Sequence, residues 1–520
     1  MKRDLKKDPF IIPIKRIIKA ILFIVFFLIQ IFIYYILIFG IYNAYGYPWF
    51  DKFYLLIVLI SFIFVLKIYN NDMNISYKLT WTILILVVPI FGITIYTFYG
   101  NGKLIPNKKN KEIRKYIGNK ITYNNPNILL NTNDSTTYKL IKGITNSSGY
   151  PYYDDSKIEF FSDTTLKHER VLNDLKSAKK YIFLDFFIVS NGTLLDELIE
   201  VLKNKGKEGV KIYFIYDDVG SKLSLKSSTI KRIKEIDNLY LKSFSPIDYR
   251  FNPVANYRDH RKIIVVDGKI AYTGGDNLAD EYVHKKKKYG KWRDNSIRIE
   301  GNAAKSFIYL FLELWYMSSE EILDINPFLE IEQVSYKTNS YIQPFGDGPT
   351  YKSNPAHSLF LNMISSANKK IYISTPYFII DKGFINNIVR AIKSGVEVII
   401  LLPHIPDKKA VFYITRSHYG EILKAGGKIY EYSEGFNHAK NVIVDSKYAY
   451  VGSSNFDYRS FYLSFECGVF FAHDDAIIDM EKDFLSTLTN SEEINYEKWK
   501  RRPLYQKLIG FFLSFISPLL

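Results

Sequence analysis

At 520 residues the chain exceeds one ordinary core and has the length for two or three domains or one large duplicated unit. A net charge of +16 directs it toward anionic partners (nucleic acid, acidic phospholipid or phosphorylated small molecules) without choosing among them. The single cysteine, Cys467, excludes an intrachain disulfide and any cysteine-based zinc cluster.

The N-terminus is basic, and from Ala20 to Ile41 the chain is almost wholly apolar, a run of 22 residues. That is enough to cross a bilayer core of roughly 30 Å and too long for the apolar region of a signal peptide. A second run, Phe53 to Leu66, has 14 residues and is short for a span, though flanking Trp49, Lys52 and Lys67 at the interfaces would let it cross. The third, Leu79 to Tyr99, is long enough, but Pro89 and Gly92 interrupt it with a kink or a re-entrant turn. Residues 1–100 are thus expected to form a membrane region. Lysine and arginine are dense both before the first run and after the third, so the positive-inside rule asks for an even number of crossings and a cytoplasmic catalytic portion.

Residues 101–150 are polar and rich in Asn, Thr and Ser, which reads as a linker. Beyond it, strand-like and helix-period segments alternate in an order that occurs twice. "AKKYIFLDFFIV", "DELIEVLKNKGKEGVKIYFIYDD", "RKIIVVD" and "KIAYTGG" are answered by "ANKKIYISTPYFI", "INNIVRAIKSGVEVIILLP", "KNVIVD" and "KYAYVGS". This predicts a duplicated α/β domain with halves at 151–335 and 336–500 and pseudo-twofold symmetry, followed by an amphipathic or hydrophobic tail at 501–520.

Within that repeat the spacing H-x-K-x4-D-x6-G-[GS]-x-N appears as "HRKIIVVDGKIAYTGGDN" and "HAKNVIVDSKYAYVGSSN". Strand alternation puts His260 with Lys262, and His438 with Lys440, on one face. Asn277 and Asn455 arrive at the same edge. Each copy offers an imidazole, a cation and an amide, the parts that hold a phosphate's oxygens during attack at phosphorus. Neither copy offers both a nucleophile and a general acid on opposite sides of that phosphorus, whereas two copies facing each other would.

The double motif resembles the phospholipase D superfamily. The flanking "NYRDHRKIIVVDGKIAYTGGDNLADEY", "KWRDNSIRIEG", "STPYFIID", "LLPHIPDKKAV" and "GFNHAKNVIVD", with the hydrophobic N-terminus, are similar to its bacterial cardiolipin synthase branch over residues 75 to 520. The resemblance implies phosphatidyl transfer between two phosphatidylglycerol molecules through a phosphohistidine, without a metal or other cofactor, in a multi-pass protein of the cell membrane. Its catalytic set would be His260, Lys262, Asp267, His438, Lys440 and Asp445, with Asp267 and Asp445 bracing the sheet or loops. Asn277, Asn455 and Ser453 would bind phosphoryl oxygens, and Asp294 and Glu466 would orient the imidazoles. The family places the nucleophile in the first motif, while the two copies are symmetric on this point. Partners would be phosphatidylglycerol and anionic membrane lipids, with no nucleic acid.

Three rivals stay open at this level: a membrane phospholipase D with water as acceptor, a nucleic-acid phosphodiesterase, and a non-catalytic membrane scaffold. The basic run "HKKKKYGKWR" reads as contact with anionic headgroups or as a solvated loop. The C-terminal "WKRRPLYQKLIGFFLSFISPLL" reads either as an interfacial segment or as one packed on the catalytic unit.

Overall fold

A computed structural model describes residues 47–100, 108–124, 132–245, 257–287, 289–319, 322–330 and 334–519; the apolar run at 20–41 lies outside them. The chain divides into two compact units, residues 1–101 and 102–520. In the first, helix α1 (Tyr47–Tyr69) contains Lys52–Tyr69, the one helix among the described residues long and apolar enough to cross a membrane. The helix is longer than the 14 apolar residues of the second run, because it continues through the flanking Trp49, Lys52 and Lys67. The 79–99 segment is corrected in the other direction. It is two helices, α2 (Ile75–Val87) and α3 (Pro89–Tyr99), of about 20 Å and about 16 Å, each short of a roughly 30 Å bilayer core. Pro89 has no N–H for the helical ladder, and at Gly92 a Cβ would lie 2.7 Å from the Ile85 Cα, so these two residues make the break and the close return.

The second unit is built on two large sheets. The first joins β1 (Ser156–Phe161), β2 (Tyr181–Phe186), β3 (Lys211–Asp217), β4 (Leu239–Phe244), β5 (Lys262–Val266), β6 (Ile270–Gly274) and β8 (Ser296–Gly301) in the order β1-β8-β6-β5-β2-β3-β4. The second uses β9 (Tyr341–Asp347), β10 (Lys370–Ser374), β12 (Glu397–Pro403), β13 (Lys428–Tyr432), β15 (Asn441–Val444), β16 (Tyr448–Gly452) and β18 (Glu466–Ala472), with β19 (Ser491–Glu493) at its edge. Read from the opposite edge its order is β9-β18-β16-β15-β10-β12-β13, the first sheet repeated. The short strands β7 (Lys291–Arg293) and β14 (Gly435–Asn437) pair with each other outside both sheets, as do β11 (Phe378–Ile379) and β17 (Phe456–Asp457).

Strand alternation gives the first sheet two apolar faces. Ile182, Leu184 and Phe186 of β2 and Ile264 and Val266 of β5 pack under α4 (Thr164–Ser177) and α5 (Thr193–Lys207), which present Val171, Leu175, Leu195 and Leu198. Tyr181, Phe183, Ile263 and Val265 point the other way, into a core shared with the second sheet. Through that core runs α6 (Lys305–Met317), with every side chain from Ser306 to Tyr316 buried, as its apolar sequence on all sides requires; α7 (Pro355–Ser366) and α8 (Lys382–Lys393) bury Phe360, Met363, Phe384 and Ile388 in it as well. Residues 101–150 were expected to be a linker, but over the described part they are not. Helices at Lys108–Asn124 and Ser135–Ser148 bury Ile113, Ile117, Ile121, Leu140, Ile141 and Ile144 in the shared core, a four-residue spacing masked by the polar residues between them.

One polar cluster ties the motif to this core. Arg261, between His260 and Lys262, is fully buried and donates to Glu313 (3.1 Å) and to the carbonyls of Leu310 (2.8 Å) and Glu466 (3.2 Å). Glu313 also receives Arg114 at 3.4 Å. Glu313→Ala would leave two guanidiniums without their carboxylate in a buried site, and its expected cost is about 3–5 kcal/mol, read as a lowered unfolding temperature of the detergent-solubilised full chain.

Candidate active site

The backbone brings the halves together before any side chain does. The approach to His260 pairs with the residue before Glu466: Asp259 bridges Phe465, Phe465 N–H donates to the Arg258 carbonyl (2.8 Å), and His260 N–H donates to the Phe465 carbonyl (2.9 Å). The approach to His438 pairs with the residues before Asp294, since β14 lies parallel to β7 and His438 N–H donates to the Arg293 carbonyl at 2.7 Å. Each histidine is thereby registered against the acid of the other half. His260 Nδ1 lies 3.0 Å from both oxygens of Glu466, and His438 Nδ1 lies 2.6 Å from Asp294 Oδ2.

Small residues at the ends of β6 and β16 make room for those acids. A Cβ on Gly275 would sit 2.2 Å from Asp294 Oδ1, so the carboxylate occupies the space a side chain would need. The matching Ser453 was expected to contact phosphate, but its fully buried hydroxyl accepts from Cys467 N–H (3.0 Å) and donates to Glu466. It braces the acid, and the Gly/Ser difference between the motifs follows from what each acid needs beside it.

Asp267 and Asp445 stand away from the histidines, in left-handed turns at φ 49° and 54°. Asp267 accepts from the N–H groups of Lys179, Lys180 and Tyr181 (2.7–2.8 Å). Asp445 does the same for Asn368, Lys369 and Lys370 (2.8–2.9 Å). Each gathers the first backbone donors of the strand beside its motif. The ammoniums of Lys262 and Lys440 are buried and turn back onto the carbonyls of His260 and His438. Lys440 Nζ is also 2.9 Å from His438 Nδ1, but a ring N–H cannot donate to Asp294 and accept from a lysine at once, and the shorter contact to a carboxylate claims it.

Both histidines line one cavity of about 290 Å³, with Asn277, Asn455 and Asp457 in its wall. Asn277 donates to the Tyr282 hydroxyl (2.8 Å) and accepts from Ile188 N–H (3.0 Å), and Asn455 donates to Asp457 (3.2 Å). Aromatic rings close around the imidazoles, Phe187 5.0 Å from His260, and Tyr282, Trp292 and Phe436 5.5–5.8 Å from His438. Sequence reasoning missed this collar and Asp457. The signal available was position: Tyr282 and Asp457 both follow a motif asparagine within five residues, and Trp292 precedes Asp294 by two.

Burial governs the electrostatics. It pushes Glu466 up to about 8 and Asp294 up to about 6, and it depresses Lys440 to about 7. Both imidazoles are driven well below their ordinary value, first by burial and next by the charges of Lys262 and Lys440, each of which acts on both rings. Two imidazoles facing one cavity, each oriented at Nδ1 and backed by a cation, can attack an electrophile from one side and donate a proton from the other.

A family described as "Cardiolipin synthase, PLD-like domain" matches residues 171–315 and 360–488. A cardiolipin synthase of Alkalihalophilus pseudofirmus is 36% identical over 366 residues, which cover 70% of this chain and 72% of that protein. Cardiolipin synthase 2 of Bacillus cereus is 34% identical over 453 residues, 86% of this chain and 87% of that one. The fold is also that of a crystallised phosphatidylserine synthase from Haemophilus influenzae Rd KW20, with a TM-score of 0.56 at 16% identity over 73% of this chain and 98% of that one.

The raised carboxyl of Glu466 carries a sign for stability. An unfolded glutamate ionises near 4.5 and the folded one near 8, so between those values the native state holds the extra proton and stability falls as pH rises. Glu466→Gln mimics the protonated form. The unfolding temperature of wild type is expected to drop relative to that of Glu466→Gln as pH goes from about 4.5 to about 8. Parallel profiles for the two proteins would contradict the shift.

Proposed function

The chain belongs to the cardiolipin synthase, PLD-like family, and from that premise we propose that it moves a phosphatidyl group from one phosphatidylglycerol to another, giving cardiolipin and glycerol. The observation that carries the reading is the pair of imidazoles on one cavity wall, each held at Nδ1 by an acid of the opposite half. An imidazole held at Nδ1 keeps Nε2 for chemistry. In the proposed reaction one Nε2 attacks the donor phosphorus and forms a P–N bond, the P–O bond to glycerol breaks, and the other imidazole protonates the leaving oxygen. That second imidazole then takes the proton of the incoming headgroup hydroxyl, whose oxygen displaces the first ring and restores a phosphodiester.

Halves 151–335 and 336–500 each contribute one histidine in this scheme and the acid for the other. Lys262, Lys440, Asn277 and Asn455 would meet the phosphoryl oxygens, a role their place behind and beside the imidazoles supports. Ser453 is left out of that set, because its hydroxyl already serves Glu466. The aromatic collar supports an acceptor other than water by restricting hydration of the intermediate. For the membrane, we read α1 and the 20–41 run as the two crossings, which puts both basic flanks, and the catalytic unit, on the cytoplasmic side.

Lipid mass spectrometry of purified protein in phosphatidylglycerol vesicles with EDTA tests this. Wild type is expected to form cardiolipin with one glycerol per product, and His260→Ala and His438→Ala none. Phosphatidic acid in place of cardiolipin would assign the second step to water, and turnover by either variant would sink the two-histidine scheme. Asp294→Asn and Glu466→Gln are expected to lower kcat by about 10²- to 10⁴-fold, the range spanned by general acid–base groups, with little change in KM.

A further inference from the structure

The last helix, α10 (Leu504–Ile516), is apolar on the side that faces away from the protein. Leu504, Tyr505, Leu508, Ile509, Phe511 and Phe512 are exposed, Phe511 by 72% and Phe512 by 66%. With Ile516 they cover an arc of about 160° of the helix, and no charged residue interrupts it. The opposite side is fastened to α9 (Lys409–Ser417). A Cβ on Gly510 would meet the Tyr413 carbonyl at 2.8 Å, and the hydroxyls of Ser514 and Ser417 are 2.9 Å apart.

Two further observations say what covers the exposed side. Between residues 496 and 507 stand Lys498, Lys500, Arg501, Arg502 and Lys507 against one acid, Glu497, a basic collar at the start of the helix. The helix is also continuous with the cavity: Ser517, just past its end, lines the wall, as do Val411 of α9 and the preceding Asp407 and Lys408. A continuous apolar face rimmed by basic residues has the chemistry of a segment lying in the headgroup layer of an anionic bilayer.

We propose that α10 is an interfacial anchor, laying its apolar face into the surface of an anionic phospholipid bilayer so that the mouth of the histidine cavity is held at headgroup level. This rests on the reading of that cavity as a phospholipid site. The anchor explains how a double-chained lipid presents its phosphate to buried imidazoles: the headgroup rises into the cavity while the acyl chains remain beside α10. The rigid joint to α9 fixes the distance between the layer and the wall.

The test is a depth measurement on the full chain. The native Cys467 is buried at 1% exposure, so a nitroxide on Phe512→Cys reports that site alone. In vesicles containing phosphatidylglycerol, collisions with oxygen should exceed those with a water-soluble nickel chelate, while a label on Leu223→Cys, exposed elsewhere on the same unit, should show the reverse. Nickel access at 512 equal to that at 223 would overturn the anchor. Shielding from both agents with spin–spin broadening would overturn it in favour of a second copy of the chain. The depth reading should persist in His438→Ala, which separates this proposal from the fate of the catalytic one. Phe511→Ser combined with Phe512→Ser should lower kcat/KM on vesicles by about tenfold, since interfacial affinity follows buried apolar area, while turnover of dispersed short-chain phosphatidylglycerol stays unchanged. Equal losses on both substrates would point to a folding defect and remove the support.

Discussion

The site depends on an exchange: each half of the catalytic unit supplies a histidine and the acid that orients the other half's histidine. This exchange is prepared in the backbone, where Arg258 to His260 pairs with Phe465 and β14 pairs with β7. Main-chain hydrogen bonds hold their register far better than long side chains hold a pose, so the imidazole positions follow from strand pairing. Neither half can complete even its own histidine alone.

That dependence explains the density of buried charge. Arg261, Glu313, Lys262, Lys440, Asp294 and Glu466 are all withdrawn from solvent, an arrangement that would be destabilising without reciprocal partners. Arg261 touches both the central helix and the Glu466 carbonyl, so the first motif, the shared core and the second half's acid form one connected set. The two lysines lower the proton affinity of both rings, and Asp457 raises that of His260. On the proposed mechanism the second ring gives its proton to the leaving oxygen and takes one from the incoming hydroxyl, with no need for bulk water.

The surroundings suit a lipid better than a soluble phosphodiester. The cavity collar is aromatic, the neighbouring α10 turns an apolar face outward, and the basic residues gather at that helix's start. Charge alone was compatible with nucleic acid; its placement beside an apolar face is what favours a membrane surface.

Spacing along the chain was enough to find the two motifs and the repeated order of segments around them, because these are periodic or positional features that leave a trace in one dimension; Asp294 and Glu466 were expected from the family resemblance, and each lies beside an imidazole Nδ1. The crossing of the acids between halves was not legible there, since a residue's partner across an interface has no fixed offset from it. The contact of Ser453 with Glu466 was hidden for the same reason: the β16–β18 pairing places that neighbour beside it. The 101–150 segment hid its isoleucine stripe among polar residues, and the run at 79–99 was apolar enough to span, but its Pro89 break shortened it into two helices. Composition measures how apolar a stretch is; only the folded chain decides how far it reaches and what it faces.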